Sequence, residues 1–565
     1  MRANLGAITE LVIIKSESEV AGMKLGVDFG TTRIVVAFVD RGNYPVVTFD
    51  AQEGDAFEWF PPLVAVQGEQ RLYGWDAWAV QDQAGWTIAR SLKRSVETAG
   101  PNTPVQICEQ KIPMTDLLRE LAQALRSSLL ERSTLPATAN EPLEVMLGVP
   151  ATANSNQRFL TAEAFRQAGF SVLGLLNEPS AASIEFGHQR RTTPQSKEKM
   201  RILVYDLGGG TFDASLVELD DLEHRVIASE GIPALGGDDF DEVLAELALE
   251  TAGITVAEQD SLSQAELFRL HEECRQKKES LSPNARKIVI DLGNVRPGWP
   301  QVSLLVSEFS DRCRSLLEET LHATEDILDA HGHASGAAKS NQASEPRLEA
   351  LYVTGGGSEL PLVSRMLREV FGRRVRRSAY TRAATAIGLA IQADATTGYI
   401  LRDRFTRHFG VWREAEAGQQ IIFDPLFTKG TPLPGPSEPP LSNFRRYFPV
   451  HNIGHFRYLE CSQLTEEGRP SGEITIWDDI RFPFDPSLKN DPDLGHVPVV
   501  HLDYSRAREA EENYSCDGSG AVTVTIANLQ DRYDRSYRLG RWAVSEALVV
   551  PGRKAKARSK KPVKR

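Results

Sequence analysis

Two segments, KLGVDFGTTRIVVAFVD (24–40) and RILVYDLGGGTFDASLVEL (201–219), follow one pattern. An apolar run leads to an aspartate, an apolar residue, glycine, small residues and threonine, and then to a second alternating run. The leading aspartates, Asp28 and Asp206, lie 178 residues apart. Each copy reads as two strands around a glycine turn, and the repetition predicts two similar lobes facing one another. At 565 residues the chain is too long for one hydrophobic core, so further domains are expected.

The stretch between and after the two copies alternates helix and strand. A Leu- and Ala-rich helix is expected over about 115–132, a strand at 144–150 and a helix beginning in NSNQRFLTAEAF. GGDDFDEVLAELALE reads as a glycine turn opening into a helix, and a charged helix is expected over 263–282. Strands follow around 286–306, helices at 308–330 and a last helix near 394, with 331–347 read as a surface insertion. From about 403 the period shifts towards 2 and prolines cluster. EITIWDDIRF (473–482) and AVTVTIAN (521–528) alternate as half-buried strands do, which predicts a second, all-β domain.

Glycine turns let backbone N–H groups approach a phosphate without interference from a Cβ. One such turn is usually a hairpin, and one aspartate beside it usually a local Asx bond. Two in register, from opposing lobes, point instead to a polyphosphate held between them. Asp28, Asp206 and Asp213 then supply oxygens for Mg²⁺, mostly through water, because this ion sheds water reluctantly. Thr31, Thr32 and Thr211 offer hydroxyls to phosphate oxygens or an attacking water. A third turn, Gly355, Gly356 and Gly357, stands before a helix and suits a more remote part of a nucleotide.

Composition narrows the partners. The net charge of −13 argues against a whole-body nucleic-acid binder. Eight of the last fourteen residues are Lys or Arg, read as a solvated basic tail, with nucleic-acid contact the minor alternative. The five cysteines are scattered with no CxxC, which suggests neither a zinc site nor a disulfide framework and fits a reducing cytoplasm. Near the N-terminus the longest apolar run is Leu11–Ile14, too short for a signal core or a membrane span. Residues 1–22 read as a dispensable extension, with Met23 a possible start.

GVDFGTT, VPATANSNQR, LLNEPSAAS, YDLGGGTFDAS, GGDDFD and VTGGGSELP occur in the order and rough spacing of the heat-shock-protein-70 chaperones, and the chain resembles that family over about 24–394. The resemblance implies a two-lobed actin-like (ribonuclease H-like) α/β ATPase domain at 23–396, a linker at 397–405 and a β-sandwich substrate-binding-like domain at 406–545, before a basic tail at 546–565. It also implies ATP or ADP with Mg²⁺ as ligands, unfolded or extended polypeptide as client, and a J-domain protein and a nucleotide exchange factor as partners.

By the same resemblance, Gly30, Thr31 and Thr32 match the first phosphate hairpin, and Gly208, Gly209, Gly210 and Thr211 the second. Asp28, Asp206 and Asp213 match the acids around metal and water. Lys93 matches the catalytic lysine, Glu178 the active-site glutamate, and Gly236 and Gly237 a turn near the phosphates. Pro150 and Arg158 match a relay to the second domain, and Lys278 and Ser282 match residues on the ribose and base.

The sequence departs from the family in three places. Arg275 stands where a ribose-binding glutamate is expected, Glu279 and Glu359 where arginines stack on adenine, and Arg382 where an aspartate lies near the base. The linker region YILRDRF (399–405) carries arginines, and little beyond the basic tail follows Trp542, so no helical lid is expected. Two other readings stay open. One is a nucleotide-binding regulatory scaffold with weak ATPase; the other is a sugar-kinase-type enzyme on the same fold.

Overall fold

The computed structural model describes residues 22–539, except 52–53, 97–98, 100–102, 139, 192–198, 333–347, 416–419, 436–437, 503–507 and 519. The basic tail, nearly all of the N-terminal extension and most of the 331–347 insertion therefore lie outside the described residues. The strands of the principal sheets, and the helices that bear on the site, are numbered below.

The first lobe is built on β1 (Met23–Phe29) and β2 (Ile34–Phe38), an antiparallel hairpin. The strands β3 (Leu143–Val149) and β4 (Ser171–Asn177) extend it in parallel, giving the order β4-β3-β1-β2. Helices α1 (Leu92–Val96), α2 (Met114–Glu131), α3 (Ser155–Gln167) and α4 (Glu178–Arg191) belong to this half of the chain. The start of α3 is set by its sequence: Asn154 accepts from the Gln157 amide, and the Gln157 side chain caps the Asn154 amide in return.

The second lobe repeats this wiring. The hairpin β5 (Met200–Leu207) and β6 (Phe212–Asp220) is antiparallel and is joined by the long strand β7 (Glu223–Ile232). Then come α5 (Gly237–Ala252), α6 (Gln264–Glu279), α7 (Val306–Ala330), β8 (Leu348–Thr354), α8 (Pro361–Phe371), β9 (Val375–Arg377), α9 (Ala384–Ala393) and β10 (Ile400–Arg402). The sheet order is β9-β8-β5-β6-β7-β10, with β8 parallel to β5 and β9 parallel to β8. Leaving aside β7 and β10, which extend one side of the sheet, this is the order and polarity of the first lobe, as the sequence repeat predicted.

The hairpin strands are buried on both faces; β6 is covered along eight successive residues. On α8, Leu362, Val363, Met366, Leu367 and Phe371 all face the core. Each such side chain is worth about 1.5–3 kcal/mol when fully buried. The lobes meet where α4 and α9 cross. A Cβ at Gly388 would lie 1.8 Å from the Ala181 carbonyl, and one at Gly26 would lie 2.2 Å from the backbone of Ala386 and Ala390. Only glycine lets these backbones come so close.

Two local expectations change. The charged helix α6 is capped by Ser263 and Glu266 and stops at Glu279, not 282. Ser282 is therefore off the helix and exposed, and it shares no helical face with Lys278. The helices expected over 308–330 are one continuous helix, α7, which begins at Val306.

Beyond β10, two four-stranded antiparallel sheets pack face to face. Their strands are β11 (His408–Ala415), β12 (Gln420–Phe427), β13 (Leu441–Tyr447), β14 (Ile453–Leu464), β15 (Pro470–Pro483), β16 (Ala510–Cys516), β17 (Val522–Asn528) and β18 (Tyr533–Arg538). One sheet runs β12-β11-β14-β15, the other β13-β16-β17-β18. Phe409, Val411, Tyr458 and Phe482 of the first meet Tyr514, Val524 and Ile526 of the second in a single core. Along β17, buried and half-buried positions alternate, which is the period the sequence showed.

Among the described residues no helix is long and apolar enough to cross a membrane.

Candidate functional site

A cavity opens between the lobes, about 110 Å³ in volume, walled by both hairpin turns, by α5 and α6 and by the turn after β8. The hairpins confront each other closely. A Cβ at Gly209 would lie 2.6 Å from the Thr32 hydroxyl, and one at Gly210 would lie 2.5 Å from the Thr31 hydroxyl. The third glycine turn closes over the second: a Cβ at Gly357 would lie 2.6 Å from the Gly208 carbonyl. Gly355 takes φ of +81°, and a Cβ there would collide with Leu207 and Asp206. The start of α5 leans on the same turn, with the amides of Gly237 and Asp238 donating to the carbonyls of Gly208 and Gly209 at 2.9 and 2.7 Å. Gly236 is pressed against Gly209 and Gly210, where a Cβ would come within 2.7 Å of their backbone.

At the inner end sit four carboxylates and one ammonium. Asp206 and Asp213 are direct cross-strand partners on β5 and β6. Like charges placed so are destabilising and need a compensating reason. Asp28 lies on β1, and Glu178 begins α4. Lys93, on α1, is buried and donates to Glu178 at 2.5 Å, so it is not a solvated surface lysine. Burial and the charge of Glu178 push the Asp28 and Asp213 carboxyls up to about 7. Burial, Glu178 and the other aspartates raise Asp206 well above the carboxylate range. Burial opposes the Lys93 charge, but Glu178, Asp28 and Asp213 outweigh it and lift its pKa. Asp213 also accepts from the Ala151 amide at 2.9 Å, which ties it to the segment after β3.

This donor set is short of positive charge and fits a divalent cation. Among the described residues no group of three or more His, Cys, Asp or Glu is arranged to grip a metal ion directly.

Of the residues singled out in the sequence, Asp28, Gly30, Thr31, Thr32, Lys93, Glu178, Asp206, Gly208, Gly209, Thr211, Gly237, Lys278 and the Gly355–Gly357 turn line the cavity. Gly210, Asp213 and Gly236 stand immediately behind that wall. Ser282 does not line it. Lys278 turns inward from α6, donating to the Gly237 carbonyl and pairing with Asp241 at 2.7 Å.

Several contributors were not singled out. Arg90 and Ser91 hold Asp238 at 2.9 and 2.5 Å, and Arg94 pairs with Asp239 and donates to the Gly210 carbonyl at 3.2 Å. These bonds bind the first lobe to α5 of the second. The opposite charges of ARSLKR (89–94) and GGDDFD (236–241) are the signal that could have found them, although the two segments lie far apart in the sequence.

The relay residues also find partners. Arg158 donates to Asn177 at 2.5 Å, and Asn177 donates to Asp403 at 2.7 Å. β10, inside the stretch read as a linker, pairs in parallel with β7. From the β-sandwich, Glu460 accepts from the Ser155 amide at 2.9 Å, and Lys429 reaches Glu230 at 2.8 Å.

A second cleft, about 570 Å³ in volume, opens in the sandwich between β12 and the turn after β13. Ile421, Phe448 and Val499 stand exposed on its rim. Its floor is polar: Arg413 makes two bonds to Glu512, which is fully buried and also accepts from Tyr447.

A family described as Hsp70 protein matches residues 24–405. Similar curated proteins include the chaperone protein HscA of Citrobacter koseri, 34% identical over 387 residues, and that of Klebsiella pneumoniae strain 342, 34% identical over 390 residues. The HscA of Salmonella typhimurium is 35% identical over 393 residues. Each alignment covers 66% of this chain and 58% of the relative, so the chain spans less than two thirds of the length of these proteins.

Proposed function

The chain belongs to the Hsp70 family, and on that premise we propose that it is an ATP-dependent chaperone-like protein in which nucleotide state switches a peptide-binding β-domain. The observation that carries the reading is the pair of facing glycine hairpins with Lys93, Glu178 and the aspartates gathered beneath them. Backbone donors from both lobes suit a triphosphate bound between them.

Asp28, Asp206 and Asp213 are the residues to hold Mg²⁺, which when bound offsets phosphate charge. Thr211, beside the second hairpin, is assigned to the γ-phosphate. Lys93, held by Glu178, is assigned to orient the attacking water and to meet charge that develops on the transferred group. Lys93, Glu178, Asp206 and Asp213 are buried, and there each such interaction counts for more than it does in water. Because both hairpins belong to different lobes, a bound triphosphate favours the closed arrangement over the open one.

The chain Arg158–Asn177–Asp403, together with the pairing of β10 on β7, supports a route from lobe closure to the β-domain. The cleft edged by Ile421, Phe448 and Val499 suits an extended client whose apolar side chains enter it. A J-domain protein and an exchange factor are the partners that the family suggests, and the cytoplasm is the compartment.

The test is fluorescence anisotropy of a labelled unfolded peptide with the full chain. Peptide affinity that differs between ATP and ADP by about tenfold is the expected result. Equal affinity in both states contradicts the switch. The scaffold reading draws on the crowded ion pairs at the outer end of the cleft; it predicts nucleotide binding without turnover.

A further inference from the structure

The cleft does not end at the phosphate-binding turns. Its outer end is walled by charged side chains drawn from four separate segments. Arg33 comes from the β1–β2 turn of the first lobe, Arg275 and Glu279 from the last turns of α6, Glu359 from the turn after β8, and Arg382 from the segment before α9. These groups satisfy one another. Arg33 meets one Glu279 oxygen at 2.5 Å and Arg275 meets the other at 3.2 Å. Arg275 also chelates Glu272, and Arg382 donates to Glu359 at 2.8 Å while lying 3.9 Å from Glu279.

A purine base gains affinity by stacking on an aromatic or guanidinium face. Here the Arg33 guanidinium already lies over the Trp59 ring, 5.0 Å from its centre. Arg275 is buried beneath its two carboxylates. Arg382 is the most accessible of the three, and both Glu279 and Glu359 hold it. The remaining candidates to cover a base are the carboxylates, whose charge repels the electron-rich ring face. Freeing an arginine for the base leaves a half-buried carboxylate without its partner, which is unfavourable. The apolar contribution to this end of the cavity is small, chiefly Leu281 and Leu360.

We infer that the nucleoside adds little to binding in this cleft, and that the ligand is taken by its polyphosphate with little discrimination of the base. This rests on the nucleotide reading of the site given above. The ion-paired outer end then serves a second purpose: Arg33–Glu279 crosses from one lobe to the other, so it holds the cleft mouth together whichever base is present.

Titration calorimetry on the full chain, in magnesium buffer, tests this with ATP, GTP and inorganic tripolyphosphate as ligands. Dissociation constants for ATP and GTP within about fivefold of each other, and neither more than about fivefold tighter than tripolyphosphate, are expected; a larger gain from the nucleoside or a larger difference between the bases overturns the inference. The variant Glu359→Ala releases Arg382 towards the base. It should shift binding towards ATP over tripolyphosphate by about threefold or more, and a smaller shift overturns the ion-pair explanation. Binding of none of the three removes the nucleotide reading itself, whereas selective binding of ATP leaves that reading standing and removes only this inference.

Discussion

Lys93 shows what a single residue contributes in this site. It is the ammonium beside four carboxylates; burial opposes its charge, and Glu178, Asp28 and Asp213 outweigh burial and lift its pKa. Asp206 and Asp213, paired across the hairpin, are like charges held side by side at a cost in stability. Elsewhere a buried titratable group serves packing alone. His224 is fully buried on β7 against Ser183, and burial pulls its pKa down to about 3. Its folded pKa is depressed below the ordinary 6.5, so the folded state holds it neutral and loses stability as pH falls from 6.5 towards 3. The buried carboxyls with raised pKa values act in the opposite sense, so the His224 share is read as the difference between wild type and His224→Asn in chemical denaturation, which should change by roughly 1 kcal/mol between pH 6 and pH 5. An unchanged slope in the variant would place the loss in other groups. Lys93 and Glu178 were legible in the sequence because each sits in a short motif. Arg33 was not, since its importance arises from Glu279, 246 residues away. Ser282 was misplaced because nothing in the local pattern marks where α6 stops.

At the scale of elements, the repeated hairpin was the most legible feature. Its glycines and aspartates are local, and local geometry reproduces them twice. The sheet orders confirm the repetition down to strand polarity. The crossing of α4 with α9 was not legible, because the need for glycine at 388 comes from a backbone far off in sequence. Gly388→Val should force these helices apart. Overpacking of this kind costs about 1–3 kcal/mol, and more where backbone atoms are the obstacle. Thermal unfolding followed by circular dichroism checks this, with a lower midpoint expected for the variant and an unchanged one contradicting the close crossing. The strand β10 is another element whose partner could not be read. YILRDRF suggested a linker carrying arginines, yet Arg402 is paired with Glu223 and Glu438, and its backbone extends a sheet.

Across the whole molecule, these pieces form one path. Glycine turns from two lobes meet above the carboxylate cluster, the lobes share a glycine-tight crossing, and the segment after the second lobe joins its sheet. The β-sandwich then rests on α3 through Glu460 and Ser155. The alternation of strands announced a β-domain, but its docking depends on single ion pairs and amide bonds that leave no periodic trace. Turnover at the cluster is what the chaperone-like reading requires above all. Single-turnover ATP hydrolysis, with and without unfolded peptide, measures it directly in the wild type and in Lys93→Ala and Thr211→Ala. The prediction is hydrolysis that peptide accelerates, slowed about 10²-fold or more in both variants while ATP still binds. Hydrolysis that neither substitution alters, or a wild type that binds ATP and never turns it over, would contradict it.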